Sequence, residues 1–229
     1  MKPLTNVIIL GSKPIKGMKS LGVISNLHIS KNKSILENQV YNLKKKLNIE
    51  QIIYVGGHDF ENLKNYSHKN VKLVYNDQFL THNNGFNIKL AIDNMDDNHN
   101  LLILFNRILL SHKIFNRFDY STSQVFISEK ETKIGSIIKN NKIHNLFYNL
   151  RNGCCGIYYI SKKDINVLKS VLEEENLNNL FAFEIINKMI NLGVDMRPNF
   201  IKKSQFVYEI NNNKNLQKLK RYYVKNFSI

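Results

Sequence analysis

Cysteine is nearly absent from this chain: Cys154 and Cys155, side by side, are the two it has among 229 residues. Neighbours on one strand point to opposite faces and rarely bridge, so no disulfide framework is expected, and the compartment implied is a reducing, cytoplasmic one. With no Cys or His nearby at ligand spacing, the pair is also a poor metal site. Long apolar runs are missing too. Nothing approaches the roughly 18 uninterrupted apolar residues of a membrane-spanning helix, and the opening "MKPLTNVIILGSK" reads as a first strand rather than a signal peptide. There is no internal repeat and no Pro/Gly/Ser-rich linker, so one domain over residues 1–229 is expected.

Acid is scarce as well. Against 33 Lys and Arg stand 18 Asp and Glu, a net charge of +15. Such an excess favours anionic partners: nucleic acid, phosphorylated metabolites or an acidic membrane surface. The plain alternative is compositional drift, because the chain is crowded with Asn, Lys and Ile and its lysines are scattered. The densest runs are Lys44 to Lys46 and "KLKRYYVK" near the C-terminus. Both read as solvated helix faces, and the second, with Tyr222 and Tyr223 between cations, also as a nucleic-acid surface.

What is present is an alternation. "NVIIL" (6–10), "QIIYVGG" (51–57), "VKLVY" (71–75) and "LLILF" (101–105) are short apolar runs of buried-strand type. Ser34 with Glu37 three residues on is a capping box opening "SILENQVYNLKKKL", where Leu36, Val40, Leu43 and Leu47 recur at helical spacing. "DFENLKNY" reads as a short helix and "NNGFNIKLAIDNM" (83–95) as a longer one. This order predicts a Rossmann-like α/β fold, a mixed but mostly parallel sheet with helices on both faces. "SQVFISE", "TKIGSII" and "CCGIYYI" are then antiparallel additions. "SKKDINVLKSVLEEE", opened by a Ser-x-x-Asp cap, and "LNNLFAFEIINKMINLG", ended by Gly193, are helices. "QFVYEI" (205–210) is a last strand, and "NNNKNLQKLKRYY" a closing helix. Ligands in such sheets sit beyond the strands' carboxyl ends. That selects the loop after Leu10, the turn at Gly56 and Gly57, and the pair Asn106–Arg107.

In this order the segments resemble the sugar-nucleotidyltransferase family, with its GT-A-like architecture, and most closely its phosphocholine-cytidylyltransferase branch. "VIILGSK" stands where that family has a strand and its glycine-rich loop. Residues 33–64 resemble its helix, second strand and turn, and residues 70–91 its asparagine-bearing segment, with Thr81, Asn83 and Asn84 at motif positions. "LLILFNRILL" resembles the strand ending in the first metal aspartate, "GCCGIYYISKKD" the glycine-bearing strand, "FAFEIINKMINLG" the acidic helix with Glu184 on the acceptor side, and "YEINNNKNLQKLK" the segment of the second metal aspartate. The resemblance implies transfer of NMP from an NTP to a sugar phosphate or phosphocholine, with Mg²⁺ held by aspartates, and often dimers.

At those positions this chain departs from the pattern. The two metal positions hold Asn106 and Asn211, and a further acidic position holds Asn215. Magnesium prefers anionic oxygen, and an amide is a poorer ligand. "GSKPIKGMKSLG" keeps Gly11 but has no arginine, offering Lys13, Lys16 and Lys19; Val23 and Ser25 stand near the place of the expected lysine beside a proline. No metal is therefore expected, and Mg only if an active reading holds. Leu10, Gly11, Ser12, Lys13, Lys16, Lys19, Gly57, Asn83, Asn84, Asn106 and Arg107 are the candidate nucleotide- or phosphate-binding residues, since a guanidinium can grip phosphate without metal. The plain alternatives are a turn-capping Asn106, a helix-capping Asn211, an Arg107 pointing away, and a Glu184 paired with a lysine. His58, following Gly57 at a strand end, is placed to touch a base or ribose, with a turn histidine as its plain alternative; His28 and His112 lack partner spacing for a metal.

Three functions compete: a degenerate member binding a nucleotide or phosphorylated metabolite, or acting as a non-catalytic partner of an active enzyme; an active nucleotidyltransferase of surface-glycan or phosphocholine-type metabolism recruiting Asp59, Asp77 or Asp119; and a basic structural or nucleic-acid-binding protein reusing the fold.

Overall fold

The structure, a computed structural model, describes residues 2–30, 33–64, 71–96, 98–116, 118–129, 132–202 and 204–227. Strand β1 (Leu4–Gly11) carries the first apolar run. Two short 3-10 turns, Lys19–Leu21 and Ile24–Asn26, lead to a hairpin of β2 (His28–Ser30) and β3 (Lys33–Ser34). Helix α1 (Ile35–Lys44) starts on the expected capping box: Glu37 N donates to Ser34 Oγ at 3.2 Å, and Ser34 N to Glu37 Oε2 at 2.6 Å. Strand β4 (Asn48–Gly56), helix α2 (Phe60–Lys64), strand β5 (Val71–Tyr75), helix α3 (Asn84–Ile92) and strand β6 (Asn100–Phe105) continue the alternation. After β7 (Ile108–Leu110) come β8 (Gln124–Ser128), β9 (Ile134–Lys139), β10 (Lys142–Tyr148) and β11 (Gly153–Ile160). Helices α4 (Ile165–Leu172) and α5 (Ala182–Asn191), strands β12 (Arg197–Phe200) and β13 (Val207–Glu209), and helix α6 (Asn213–Phe227) complete the chain. No described helix is long and apolar enough to cross a membrane.

Seven strands form the central sheet in the order β12-β8-β11-β6-β1-β4-β5. All run in one direction except β11, which is antiparallel to both of its neighbours, β6 and β8. Alternation along β1 sends Ile8 and Leu10 to a core completed by α3, α4 and α5, and Val7 and Ile9 to a core completed by α1 and α2. That two-sided burial is why the central strands read as unbroken apolar runs. The chain winds outward from β1 through β4 to β5, then returns with β6 on the other side of β1. The β1–β6 junction is the switch point, where Asn106 N donates to Leu10 O at 2.9 Å.

Several expected elements differ. The predicted antiparallel additions separate: β11 runs antiparallel, β8 follows the main direction, and β9 leaves the sheet to pair with β10. The expected last strand shortens to β13 and pairs with β7 in a separate ribbon. The predicted helix over 177–193 breaks into a 3-10 turn (Leu177–Asn179) and α5, because Leu180 and Phe181 are extended. The Ser-x-x-Asp cap does not form: Asp164 Oδ2 accepts from the hydroxyls of Ser123 at 2.6 Å and Ser161 at 3.3 Å, without capping α4. The end of the predicted "DFENLKNY" helix (65–66) and the side chains of Tyr222 and Tyr223 lie outside what the structure describes.

Candidate functional site

Asn106, at the end of β6, is buried (5% exposed). Its Nδ2 donates to Tyr54 Oη at 2.9 Å, and that hydroxyl lies 2.7 Å from Ser25 Oγ. Tyr54 and Ser25 are fully buried, and burial pushes the Tyr54 phenol up to about 12 despite these two hydrogen bonds. The plain reading of Asn106 as a turn cap therefore gives way to a cross-link joining β6, β4 and the loop after β1. Gly11 is required beneath it: a Cβ there would lie 2.1 Å from Tyr54 Oη.

That loop folds down over the strand ends, with Met18, Val23 and Ile24 buried. The crevice left between Gly11, Lys13, His58 and Asn106 has a volume of about 10 Å³, near the lower limit for a single water. The other candidates here are structural. Leu10 is a core residue, and Ser12 Oγ accepts from Asn87 Nδ2 at 2.8 Å while its carbonyl accepts from His58 N at 2.8 Å. At Gly57 a Cβ would lie 2.4 Å from Phe79 Cβ, so glycine permits close packing there. Lys16 and Lys19 are exposed and line neither this crevice nor the larger cavity.

The roomier space is a second cavity of about 340 Å³ that shares Lys13 with the crevice. Lys13, Asn83, Asn84, Arg107 and Asn211 line it, so the structure does bring these five candidates together. Lys13 Nζ donates to Asn83 Oδ1 at 2.9 Å. Two of the backbone donors at the start of α3 are already used, Asn83 N by Asn178 O at 2.7 Å and Gly85 N by Leu180 O at 2.9 Å. Sequence reasoning missed Lys133, Tyr148, Phe181 and Glu209, which also line the cavity. They come from β10, the β8–β9 connection, the start of α5 and β13, and no local pattern links these segments. Tyr148 packs edge-on to Phe183 at 5.4 Å, and Lys133 Nζ sits 5.6 Å from the Tyr148 ring centroid.

Arg107 points into the cavity rather than away from it. Its guanidinium stacks 4.6 Å from the Phe105 ring, and its Nε donates to Glu209 Oε1 at 2.8 Å. With the partners 33% and 32% exposed, this pair contributes at most about 1 kcal/mol to stability. Its effect is on charge: the cavity has three cations and one acid, less positive than the loss of the two aspartates suggested. The turn carrying Asn106 and Arg107 is held by Gln39 of α1, whose Nε2 donates to Phe105 O at 2.9 Å and Ile108 O at 2.7 Å.

Other assignments change. Asn211 is exposed and does not cap α6; Asn212 Oδ1 accepts from Asn215 N at 2.8 Å, and Asn215 Oδ1 accepts from Asn211 N at 3.2 Å. Glu184 neither lines the cavity nor pairs with a lysine in the hydrogen bond seen: its Oε2 accepts from Phe181 N at 2.7 Å, closing the first turn of α5. Asp59, Asp77 and Asp119 are not cavity walls. A two-aspartate Mg²⁺ site does not fit these residues. One position is an amide committed to Tyr54, the other an exposed amide, and the cavity carboxylate is held by Arg107. No described group of three His, Cys, Asp or Glu could hold a metal ion.

Cys154 also lines the cavity. Its Sγ is 3.5 Å from Tyr158 Oη, and burial pushes its thiol from 9.0 up to about 11. A two-unit rise cuts the thiolate fraction at pH 8 about 100-fold. A thiolate of higher pKa is also the better nucleophile, which offsets part of this loss, so iodoacetamide should label Cys154 of the native protein at least about tenfold more slowly than the urea-unfolded chain, read by mass spectrometry. Equal rates would show an open thiol.

No protein-family model matches this chain, and a comparison with curated proteins finds no match. Solved structures do match. CTP:phosphocholine cytidylyltransferase from Streptococcus pneumoniae superposes with a TM-score of 0.78 at 17% identity, covering 95% of this chain and 98% of that one. The inositol-1-phosphate CTP transferase from T. maritima gives 0.73 at 12% identity, covering 96% of each. The nucleoside-diphosphate-sugar pyrophosphorylase from Vibrio cholerae RC9 gives 0.73 at 11% identity, covering 94% and 99%. Identities this low carry the architecture and not the chemistry. What they establish, together with the strand order and the switch point at β1 and β6, is that this chain has the NTP-transferase-like fold.

Proposed function

We propose that this protein binds a phosphorylated small molecule in the 340 Å³ cavity without magnesium, and that it does not transfer nucleotides. The observation that carries the reading is the state of the switch point: the amide at the position resembling the first metal aspartate is bonded to Tyr54, whose hydroxyl is in turn held by Ser25, while Lys13, Arg107 and Lys133 face the neighbouring cavity. Phosphate needs cationic donors, and a guanidinium with free Nη atoms meets that need without a metal. The apolar wall of Phe105, Tyr148 and Phe181 suits the rest of the ligand. The volume suits a sugar phosphate or phosphorylated alcohol better than a whole NTP, whose polyphosphate has little room beside Gly11.

Isothermal titration of CTP, UTP, an NDP-sugar, a sugar 1-phosphate and phosphocholine, each with Mg²⁺ and with EDTA, tests this. One of the phosphorylated compounds binds equally in both conditions, and no pyrophosphate appears. Chelator-sensitive pyrophosphate release from an NTP would restore the transferase reading, and absence of binding in both conditions would sink the proposal. The Arg107–Glu209 pair sharpens the test. Glu209→Gln frees the guanidinium and should tighten binding several-fold, and Arg107→Gln should weaken it about tenfold.

A further inference from the structure

A second feature lies away from the cavity. Tyr41 of α1 is 52% exposed, and lysines flank it: Lys33 Nζ is 3.9 Å from the ring centroid and Lys45 Nζ 5.7 Å. The positive charge extends beyond them. His112, whose backbone N–H donates to Asn42 Oδ1 at 3.1 Å, is held below the usual histidine range by burial and then by the charges of Lys45, Lys46 and Lys113. Among the described residues none of Lys33, Lys45, Lys46 and Lys113 makes an ion pair with an acid. Hairpin β2–β3, which carries Lys33, packs against α6. That helix buries Leu216 and Leu219 against Ile29 and leaves Lys214, Lys218 and Arg221 exposed at helical spacing. It contains five cations and no acid.

We propose that this face, with Tyr41 between Lys33 and Lys45 and the basic side of α6 beyond the hairpin, binds single-stranded nucleic acid. Charge complementarity selects a polyanion, and the aromatic centre selects one with bases. A base stacks on Tyr41 while the lysines meet the flanking phosphates. Lys33 leaves the ring for a phosphate as the base arrives, exchanging an exposed cation–π contact for a charge-assisted one. An acidic membrane would require apolar side chains to insert, and the ring at the centre of this patch is covered by an ammonium group.

Fluorescence anisotropy of labelled oligothymidylate and oligouridylate with the full chain, over a series of KCl concentrations, tests the assignment. At least one oligonucleotide binds, with log K falling linearly in log salt. Tyr41→Ala weakens binding about tenfold with the slope unchanged, and Tyr41→Phe retains it. Lys33→Gln/Lys45→Gln lowers the slope by about 1.4, roughly 0.7 per phosphate contact. Lys162→Gln/Lys163→Gln, which removes the same charge from the 3-10 turn before α4, leaves binding as it was. Thermal melting confirms that the variants fold. Absence of binding, full binding by Tyr41→Ala, equal losses from the Lys162/Lys163 variant, or binding to phosphatidylglycerol vesicles instead of oligonucleotides each overturns it.

Discussion

Replacing Gly11 by valine should lower the unfolding free energy by about 4 kcal/mol, measured by urea denaturation. The first added carbon would stand 2.1 Å from Tyr54 Oη, 2.5 Å from Tyr54 Cζ and 2.8 Å from Asn106 Nδ2. None of these atoms has an easy route away. Tyr54 is fully buried in the core over α1, and its hydroxyl is held by Ser25 and Asn106. Moving the ring breaks both hydrogen bonds and opens a void; leaving it in place moves β1 away from its neighbours. Gly11→Ala should cost less, and less again in a Tyr54→Phe background, where the nearest clashing atom is gone. A coupling of about 1 kcal/mol in that double-mutant cycle would tie the cost to the hydroxyl. Additive effects would place the strain elsewhere. A nucleotide-binding glycine, by contrast, would show its loss mainly in ligand affinity.

Gln39→Ala should cost about as much, roughly 4 kcal/mol. Gln39 is fully buried, and its Nε2 holds both Phe105 O and Ile108 O. Alanine removes both donors at once and leaves a cavity beside the turn. The turn it releases presents Asn106 and Arg107, so ligand affinity in the cavity should fall together with stability. Arg107→Gln separates the two effects. It should lose affinity while changing stability by less than about 1 kcal/mol, because its pair with Glu209 is one-third exposed. A Gln39→Ala protein with wild-type stability would show that the turn is held by its backbone alone.

Local chemistry was legible where it acts over a few residues. The Ser34–Glu37 capping box spans three positions, and β1, β4 and β6 announce themselves as apolar runs because both of their faces are covered, while β5, at the sheet edge, is legible from its short β-branched run. Their alternation with helices was enough to place the switch point at Leu10 and Asn106. Short ribbons were harder to read. Strands β2, β3, β7, β10 and β12 are brief or half-buried, and their sequences carry no strong period. Ser161 and Asp164 showed the limit of a motif: the pattern of a cap is present, but Ser123, 41 residues from Asp164, takes the carboxylate.

The amides at Asn106 and Asn211, the surplus of cations and the parallel α/β class belong to the amino-acid sequence alone, since residue identity and short-range periodicity settle them. The direction of Arg107 does not. It depends on Glu209, 102 residues later, arriving beside it on β13. Nor could the sequence say that Asn106 is bonded to a buried tyrosine, 52 residues away, rather than open to a ligand. Those pairings depend on how β4, β6 and β13 meet at the end of the sheet. A side chain's partners in space are chosen by packing over the whole chain, which no local pattern encodes.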